Sequence, residues 1–248
     1  MAKKIDWRKV ATMAVIVAII VYVSAAIILV ADSYKYRICT KCEVTVADSL
    51  ELRFVTDREV LKLLRGSDVK IEGITAHFTD LAKVEKMLES KSRIKKAECY
   101  FTPSGKARVV ITQREPILRV MTGQANYYVD REGALTQVAE KFAAYVPIAT
   151  GHISKKLAKG DLYKFALYLY ENEFWNAFIE QIDVDAHGVV VLVPRVGNQI
   201  IRLGTLTGYE KKLSKLLTLY TKGFNKIGWN NYKVINLEYD GQVVCTRK

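Results

Sequence analysis

One uninterrupted apolar run near the start of the chain constrains its fold more than any other feature. Of the 22 residues from Val10 to Ala31, only Thr12 and Ser24 fall outside the hydrophobic types, and none is charged. A helix rises about 1.5 Å per residue, so this run extends over roughly 33 Å, whereas the hydrocarbon core of a bilayer is about 30 Å thick. The sequence therefore predicts a transmembrane helix at residues 10–31.

A cleaved signal peptide is the alternative for this run. A short basic tip precedes it, and Ser24-Ala25-Ala26 are small residues of the kind that signal peptidase accepts. The apolar core of a signal peptide is only about 7–15 residues long. Here the run continues from Ile27 to Val30 after the small residues, so we predict an anchor that is not cleaved.

The residues that flank the run predict its orientation. The short tail before it, residues 1–9, holds four basic residues and one acidic residue. Basic flanks stay in the cytoplasm, so we expect residues 32–248 to lie outside it.

The net charge of +12 has to be interpreted with that location. A basic balance often indicates nucleic-acid binding, but a domain outside the cytoplasm meets no nucleic acid. Acidic protein surfaces, anionic envelope polymers and lipid headgroups are the partners that fit such a charge. A basic surface that only keeps the protein soluble is the alternative.

The four cysteines give no specific signal. Cys39 and Cys42 form a CxxC motif just after the apolar run, but neither the further ligands of a zinc site nor the βαβ context of a redox motif accompanies it. We interpret both as linker residues, unpaired or incidentally oxidised. Cys99 and Cys245 lie in predicted strands, which favours small packed side chains.

The region after the apolar run divides into a linker and two folded units. Residues 32–43 are polar and aromatic without periodicity, which indicates a linker. The first unit, residues 44–115, is predicted to have the order β-α-α-β-β, and a capping box at Thr56 and Glu59 marks the start of its first helix. The predicted elements are strands at Val44–Val46 and Leu50–Phe54, helices from Thr56 to Gly66 and from Thr79 to Leu88, and strands Ile94–Phe101 and Arg108–Thr112 joined by a hairpin turn.

The second unit, residues 116–248, is predicted to be a mixed β-sheet with flanking helices, which gives the chain an α+β fold. Asp161 is predicted to cap one helix, and an amphipathic helix is predicted from Tyr209 to Lys222. The chain ends in a β-hairpin whose Asp240-Gly241 turn has a type I′ signal. The predicted strands are Ile117–Met121, Asn126–Val129, Ile182–Val184, Val189–Val193, Gln199–Leu203, Tyr232–Tyr239 and Gln242–Arg247.

Four short strings, each weak alone, occur in an order that resembles the FtsQ/DivIB family of bacterial cell-division proteins. The layout is similar as well, with a basic tail, one membrane helix, a βααββ unit like a POTRA domain and a β-rich domain. The strings are Val110–Pro116, similar to V-x-E-R-x-P; Tyr127–Gly133, similar to Y-L-V-D-x-x-G; Ile200–Gly204 with the helix after it, similar to L-x-L-G; and Val234–Gly241, similar to V-D-L-R-Y-x-x-G.

The resemblance implies a non-enzymatic scaffold of the division septum. Such a protein lies in the bacterial inner membrane, with its N-terminus in the cytoplasm and its C-terminal domains in the periplasm. It links early and late division proteins and binds the bitopic proteins FtsB and FtsL, and its POTRA-like domain is expected to bind further components.

The family also implies a binding site, because a partner segment adds as a strand to the edge formed by the C-terminal hairpin. A last strand with one neighbour leaves backbone groups that an extended segment can pair. Glu238 departs from the family, where arginine often precedes the tyrosine. The matching positions are Tyr239, Gly241, Gln242, Val243, Val244 and Cys245.

A membrane-anchored enzyme or polymer-binding protein that acts on the cell wall is the main alternative. His77, His152 and His187 occur in no HExxH arrangement, and Asp183 and Asp185 share one short strand beside a turn. No nucleophile motif or phosphate loop is present, and Lys-rich helices stand where a POTRA-bearing translocation protein would have a membrane barrel. No catalytic residue, cofactor or metal is therefore predicted.

Overall fold

A computed structural model describes residues 7–35, 37–47, 53–139, 142–224, 228 and 231–248. The chain divides into two compact units. The first comprises residues 1–47, 56–91 and 96–112, and the second comprises residues 48–55, 92–95 and 113–248.

The apolar run lies within one long helix, α1, at Trp7–Lys35. Its stretch Val10–Ile28 is long and apolar enough to cross a membrane and is not buried against other parts of the protein. A helix that is apolar all round and not covered by protein is typical of a membrane span. Of the predicted tail, residues 1–6 lie outside the described residues.

The first unit contains a three-stranded sheet and two helices. The sheet order is β1-β3-β2, and β1 runs parallel to β3. The helices bury Val60 and Leu64 from α2 and Val84 and Leu88 from α3. The elements are β1 (Lys41–Val46), α2 (Asp57–Arg65), a 3₁₀ turn (Ala76–Phe78), α3 (Leu81–Glu89), β2 (Ile94–Phe101) and β3 (Lys106–Gln113).

Local sequence signals position the first of these helices. The Thr56 hydroxyl accepts a hydrogen bond from the amide of Glu59 at 3.3 Å, and the Thr56 amide donates to the Glu59 carboxylate at 2.9 Å. The predicted capping box is confirmed, and the helix ends at Gly66 as predicted. The third helix begins at Leu81, capped by Asp80 rather than Thr79.

The structure differs from the expected linker at 32–43. Strand β1 begins at Lys41, three residues before the predicted Val44. Cys39 is 1% exposed and Cys42 is 8% exposed, so both free thiols are buried in the first unit rather than placed in a linker. The amide of Cys39 donates to the carbonyl of Ile74, and Gly73 donates back to Cys39. This long-range pairing leaves no periodicity in the sequence, which is why the segment resembles a linker.

The predicted strand at Leu50–Phe54 cannot be compared in full, because residues 48–52 lie outside the described residues. Phe54 is buried, and its ring meets the ring of Tyr128 edge-on within the second unit.

The second unit is built on a nine-stranded mixed sheet. Its strand order is β12-β11-β10-β9-β8-β7-β4-β5-β6. The buried faces of α5 to α7 join the inward residues of these strands in one core cluster. The strands are β4 (Pro116–Met121), β5 (Asn126–Asp130), β6 (Leu135–Gln137), β7 (Ile148–Gly151), β8 (Ile179–Val184), β9 (Val190–Pro194), β10 (Ile200–Gly204), β11 (Tyr232–Asn236) and β12 (Val244–Arg247). The helices are α4 (Lys155–Lys159), α5 (Asp161–Glu171), α6 (Glu173–Phe178) and α7 (Tyr209–Thr218), which continues into a π-helical turn at Leu219–Phe224.

The α+β class, the single candidate membrane helix and the mixed sheet are confirmed. Strands β6 and β7 and helices α4 and α6 have no counterpart among the predicted elements, and the helix predicted to be capped by Asp161 has Gly160 at the capping position and begins at Asp161. Strand β6 has only three residues and β7 only four, which is too short for an alternating pattern to stand out.

Candidate partner-binding edge

The nine-stranded sheet ends at β12, which has β11 on one side and no strand on the other among the described residues. The two strands are antiparallel, with Ile235 opposite Cys245 and Asn236 opposite Val244. One row of β12 backbone groups therefore faces away from the sheet. Such a row is able to pair with an extended segment of another chain.

Glutamate side chains bind several edge amides of the three-stranded sheet. On β2, the amides of Ala97 and Cys99 donate to the carboxylates of Glu89 at 3.1 Å and Glu85 at 2.7 Å. On β1, the amide of Cys42 donates to Glu72 at 2.8 Å. Across the part of the chain that the structure describes, no side chain caps the β12 backbone in this way.

Side chains alternate along β12. Val244 is 42% exposed, and Thr246 lies beside Val234, which in turn pairs with Ile200 of β10. These residues share the face of the sheet that carries exposed apolar side chains. Cys245 points to the opposite face and packs against the core, where burial raises the pKa of its thiol.

The connection between β11 and β12 differs from the prediction. Strand β11 ends at Asn236 and β12 begins at Val244, so seven residues, 237–243, join them. Gly241 has a φ of 73° but Asp240 has no positive φ, whereas a type I′ turn requires it at both positions. The expectation of a two-residue turn is therefore wrong, and the strand predicted from Gln242 begins two residues later, at Val244, since Gln242 and Val243 lie in the loop.

A tertiary contact explains the longer loop. Leu237 is completely buried, and its amide donates to the carbonyl of Arg202 at 2.9 Å. The chain therefore stays against β10 after β11 ends, instead of turning back at once.

Glu238, the residue that departs from the family pattern, is bound within the hairpin. Its carboxylate accepts hydrogen bonds from Nε of Arg202 at 3.0 Å and from Nδ2 of Asn236 at 3.2 Å. Its side chain also lies over Gly204, where an added Cβ would stand 2.7 Å from Cγ of Glu238. The reversed charge is thus matched by a cation of the same unit.

Tyr239 lies on the surface of this loop with its side chain 50% exposed. Its carbonyl accepts a hydrogen bond from Nζ of Lys215 on α7 at 2.8 Å. The structure brings Tyr239, Gly241 and β12 together in one hairpin, held by Lys215 and Arg202. Sequence reasoning missed both basic residues because they lie 24 and 36 positions from the groups they bind.

The residues considered for an enzyme have structural contacts. Asp183 accepts a hydrogen bond from the hydroxyl of Thr150. Asp185 accepts hydrogen bonds from the amides of Val189 and His187 in a turn, both at 2.8 Å, and these bonds, that of Val189 first, lower the pKa of its carboxyl. Within the described residues, no group of three histidine, cysteine or acidic side chains is placed to hold a metal ion.

Cys42 and Cys99 of the first unit are not placed for reactivity. Burial raises the pKa of Cys42 to about 11, with a smaller contribution from Cys39. Burial likewise raises the pKa of Cys99 to about 12. A thiol with so high a pKa is a poor nucleophile near neutral pH, because the thiolate is the reactive form.

A candidate membrane helix, a βααββ unit and a mixed sheet with an open last strand define a membrane-anchored two-domain protein of the POTRA type. Residues 37–112 match a family model described as a POTRA-like domain. Residues 115–246, more than half of the chain, match the model for FtsQ/DivIB, C-terminal related. The chain therefore belongs to the FtsQ/DivIB family of bacterial cell-division proteins.

Membership of this family implies a scaffold role in cell division with partners among the division proteins. The apolar helix together with the family indicates a single-pass membrane protein. A comparison with curated proteins gives no significant match.

Proposed function

We propose that the chain is a non-enzymatic bitopic scaffold that links early and late division proteins and binds FtsB-like and FtsL-like partners by strand addition at β12. The observation that carries the proposal is the contrast between edges. Carboxylates occupy edge amides of β1 and β2, whereas no described side chain occupies those of β12.

The chemistry of β12 suits an added strand. The added backbone gains hydrogen bonds, and its alternate side chains meet a face on which Val244 and Ile200 are exposed and Val234 is half-buried. Tyr239 supplies a large aromatic contact beside the strand, and aromatic residues dominate the binding energy of many interfaces. Lys215 and Arg202 position the loop so that the ordering cost on binding is small.

The proposed location is the bacterial inner membrane at the division septum. The N-terminal tail lies in the cytoplasm, and the two folded units lie in the periplasm or an equivalent extracytoplasmic space. The four basic residues of the tail support this orientation.

Partner capture from detergent-solubilised envelope tests the site. A chain that ends at Asn236 would also lose Leu237, which is completely buried. A chain that ends at Val243 lacks β12 and Lys248, and a chain that ends at Arg247, which lacks Lys248 but keeps β12, is its matched control. We expect FtsB-like and FtsL-like partners to be captured by the control and lost with the shorter chain. Equal recovery by both would rule out docking at β12.

The non-enzymatic role has its own test. The full-length protein is incubated with peptidoglycan fragments, and the products are separated by chromatography. We expect no turnover. Turnover that survives removal of contaminating hydrolases would establish the enzyme alternative.

A further inference from the structure

One end of the first unit carries exposed apolar side chains beside the end of α1. Phe78, in the 3₁₀ turn, is 76% exposed, and Ile38 is 58% exposed. Ile38 pairs with Thr75 in an isolated β-bridge, and the amide of Ala76 donates to the carbonyl of Arg37 at 3.2 Å. One backbone framework therefore holds both apolar side chains. Exposed apolar side chains that a folded unit holds together can form an interaction surface.

The segment between the apolar run and Ile38 is so short that it keeps this end of the first unit close to the bilayer. Helix α1 continues to Lys35, four residues beyond the apolar run, which adds about 6 Å at 1.5 Å per residue. Ile38 follows three residues later, at most about 10 Å of extended chain. Since the headgroup layer on each side is about 5–7 Å thick, Ile38 lies within about 10 Å of the headgroups even with every residue extended outward.

The polar groups around these side chains suit a lipid surface. Arg37 lies next to Ile38 and donates through Nη1 to the carbonyl of Pro103 at 2.6 Å. The side chains of Lys41 and Lys106, at the adjoining ends of β1 and β3, are 66% and 42% exposed, and their ammonium groups lie 3.9 and 2.8 Å from the carboxylate of Glu43. Cations next to exposed aromatic and aliphatic side chains are the composition of protein segments that lie at a membrane interface.

We propose that this end of the first unit contacts the lipid headgroup layer of the membrane that holds α1. The contact surface, called the membrane-facing turn, is defined by Ile38, His77 and Phe78 with Arg37 beside them. The aromatic and aliphatic side chains enter the headgroup layer, and the basic side chains meet lipid phosphates. This contact is independent of β12, because it uses the first unit alone.

Photocrosslinking of the full chain tests this proposal. A benzophenone amino acid replaces Phe78 in one variant and Tyr145 in the matched control, since Tyr145 is an aromatic residue of the second unit with 83% exposure. Both proteins are placed in vesicles of phosphatidylcholine and phosphatidylglycerol and irradiated, and lipid adducts are measured by mass spectrometry. We expect several-fold more lipid adduct at position 78 than at position 145.

A second variant keeps the test independent of one position. The same probe at Ile38 is expected to give the high lipid yield of position 78. Thermal unfolding of each variant checks that the fold is retained, and the low burial of Phe78 favours this. Equal lipid yields at 78 and 145 would overturn the proposal. Adducts to another protein in native membranes, in place of lipid, would overturn it in favour of a protein partner.

Discussion

Replacing Arg247 by proline tests strand addition at β12 with a single change. The amide of Lys248 donates to the carbonyl of Asn231 at 3.3 Å, and the amides of alternate residues in a strand point to the same side. The amide of Thr246 therefore faces β11, whereas that of Arg247 faces the free edge. Proline at 247 removes one outward donor and places a ring in the path of an added strand, but it keeps the ladder to β11.

The expected loss follows from that one amide. A net hydrogen bond contributes about 0.5–1.5 kcal/mol, and a partner carbonyl left buried without a donor costs about 1–3 kcal/mol. We therefore expect Arg247→Pro to weaken binding by about 1–3 kcal/mol, which is about 5- to 150-fold in Kd. Arg247→Ala is the matched control, since it removes the same charge but retains the amide. We expect it to bind within a few-fold of the unchanged protein.

The assay measures fluorescence anisotropy of a labelled extracytoplasmic segment of an FtsB-like partner, titrated with the full-length protein in nanodiscs. Thermal unfolding of both variants reports whether the hairpin is retained. Equal Kd values for Arg247→Pro and the unchanged protein, at equal Tm, would refute strand addition at this edge. A loss as large with Arg247→Ala would mean that the partner reads the charge rather than the backbone.

Three further predictions concern stability and reactivity. Gly204→Ala is expected to lower the free energy of unfolding by about 1–3 kcal/mol, measured by urea denaturation, because Gly204 has a φ of 78° and an added Cβ would meet Glu238; an unchanged midpoint would contradict this packing. Because the pKa of Asp185 is lowered in the folded protein, its carboxylate contributes to the free energy of unfolding above the ordinary pKa of 3.8. This contribution is lost as pH falls through the pKa of the folded protein. Asp185→Asn should therefore flatten the decline of Tm in that acid range, and an identical decline would oppose the assignment. Since its pKa is raised to about 11, Cys42 should react with iodoacetamide at neutral pH only after unfolding, as followed by mass spectrometry.

Sequence patterns predict an element well when its determinants lie within a few residues. The helix at Asp57–Arg65 follows from Thr56 and Glu59, three positions apart, and from Gly66 at its end. The last hairpin is not predicted correctly from local patterns, because the path of its loop depends on Leu237. This residue is buried in the core, and its amide donates a hydrogen bond to β10. The type I′ signal of Asp240-Gly241 is local, and this tertiary contact overrides it.

In the candidate site, too, residues close together in the sequence are predictable and residues far apart are not. Tyr239, Gly241 and Val244 are contiguous enough for a sequence motif to identify, and the structure places them in one hairpin. The groups that hold the hairpin come from elsewhere in the chain, namely Arg202 on β10 and Lys215 on α7. No spacing rule connects them to the loop, so only the folded chain reveals their role.

The charges around the hairpin define what a partner strand would meet. Arg202 and Asn236 bind the Glu238 carboxylate. A partner would therefore meet the Arg202–Glu238 ion pair at the loop and not an unpaired carboxylate. The open edge offers backbone groups, and the face beside it offers the exposed side chains of Val244 and Ile200. Because a shift of one residue moves every side chain of an added strand to the other face, we infer that selectivity at β12 depends on the alternation of apolar residues in the partner. The charge of residue 238, which departs from the family, then changes the anchoring of the loop without removing the edge itself.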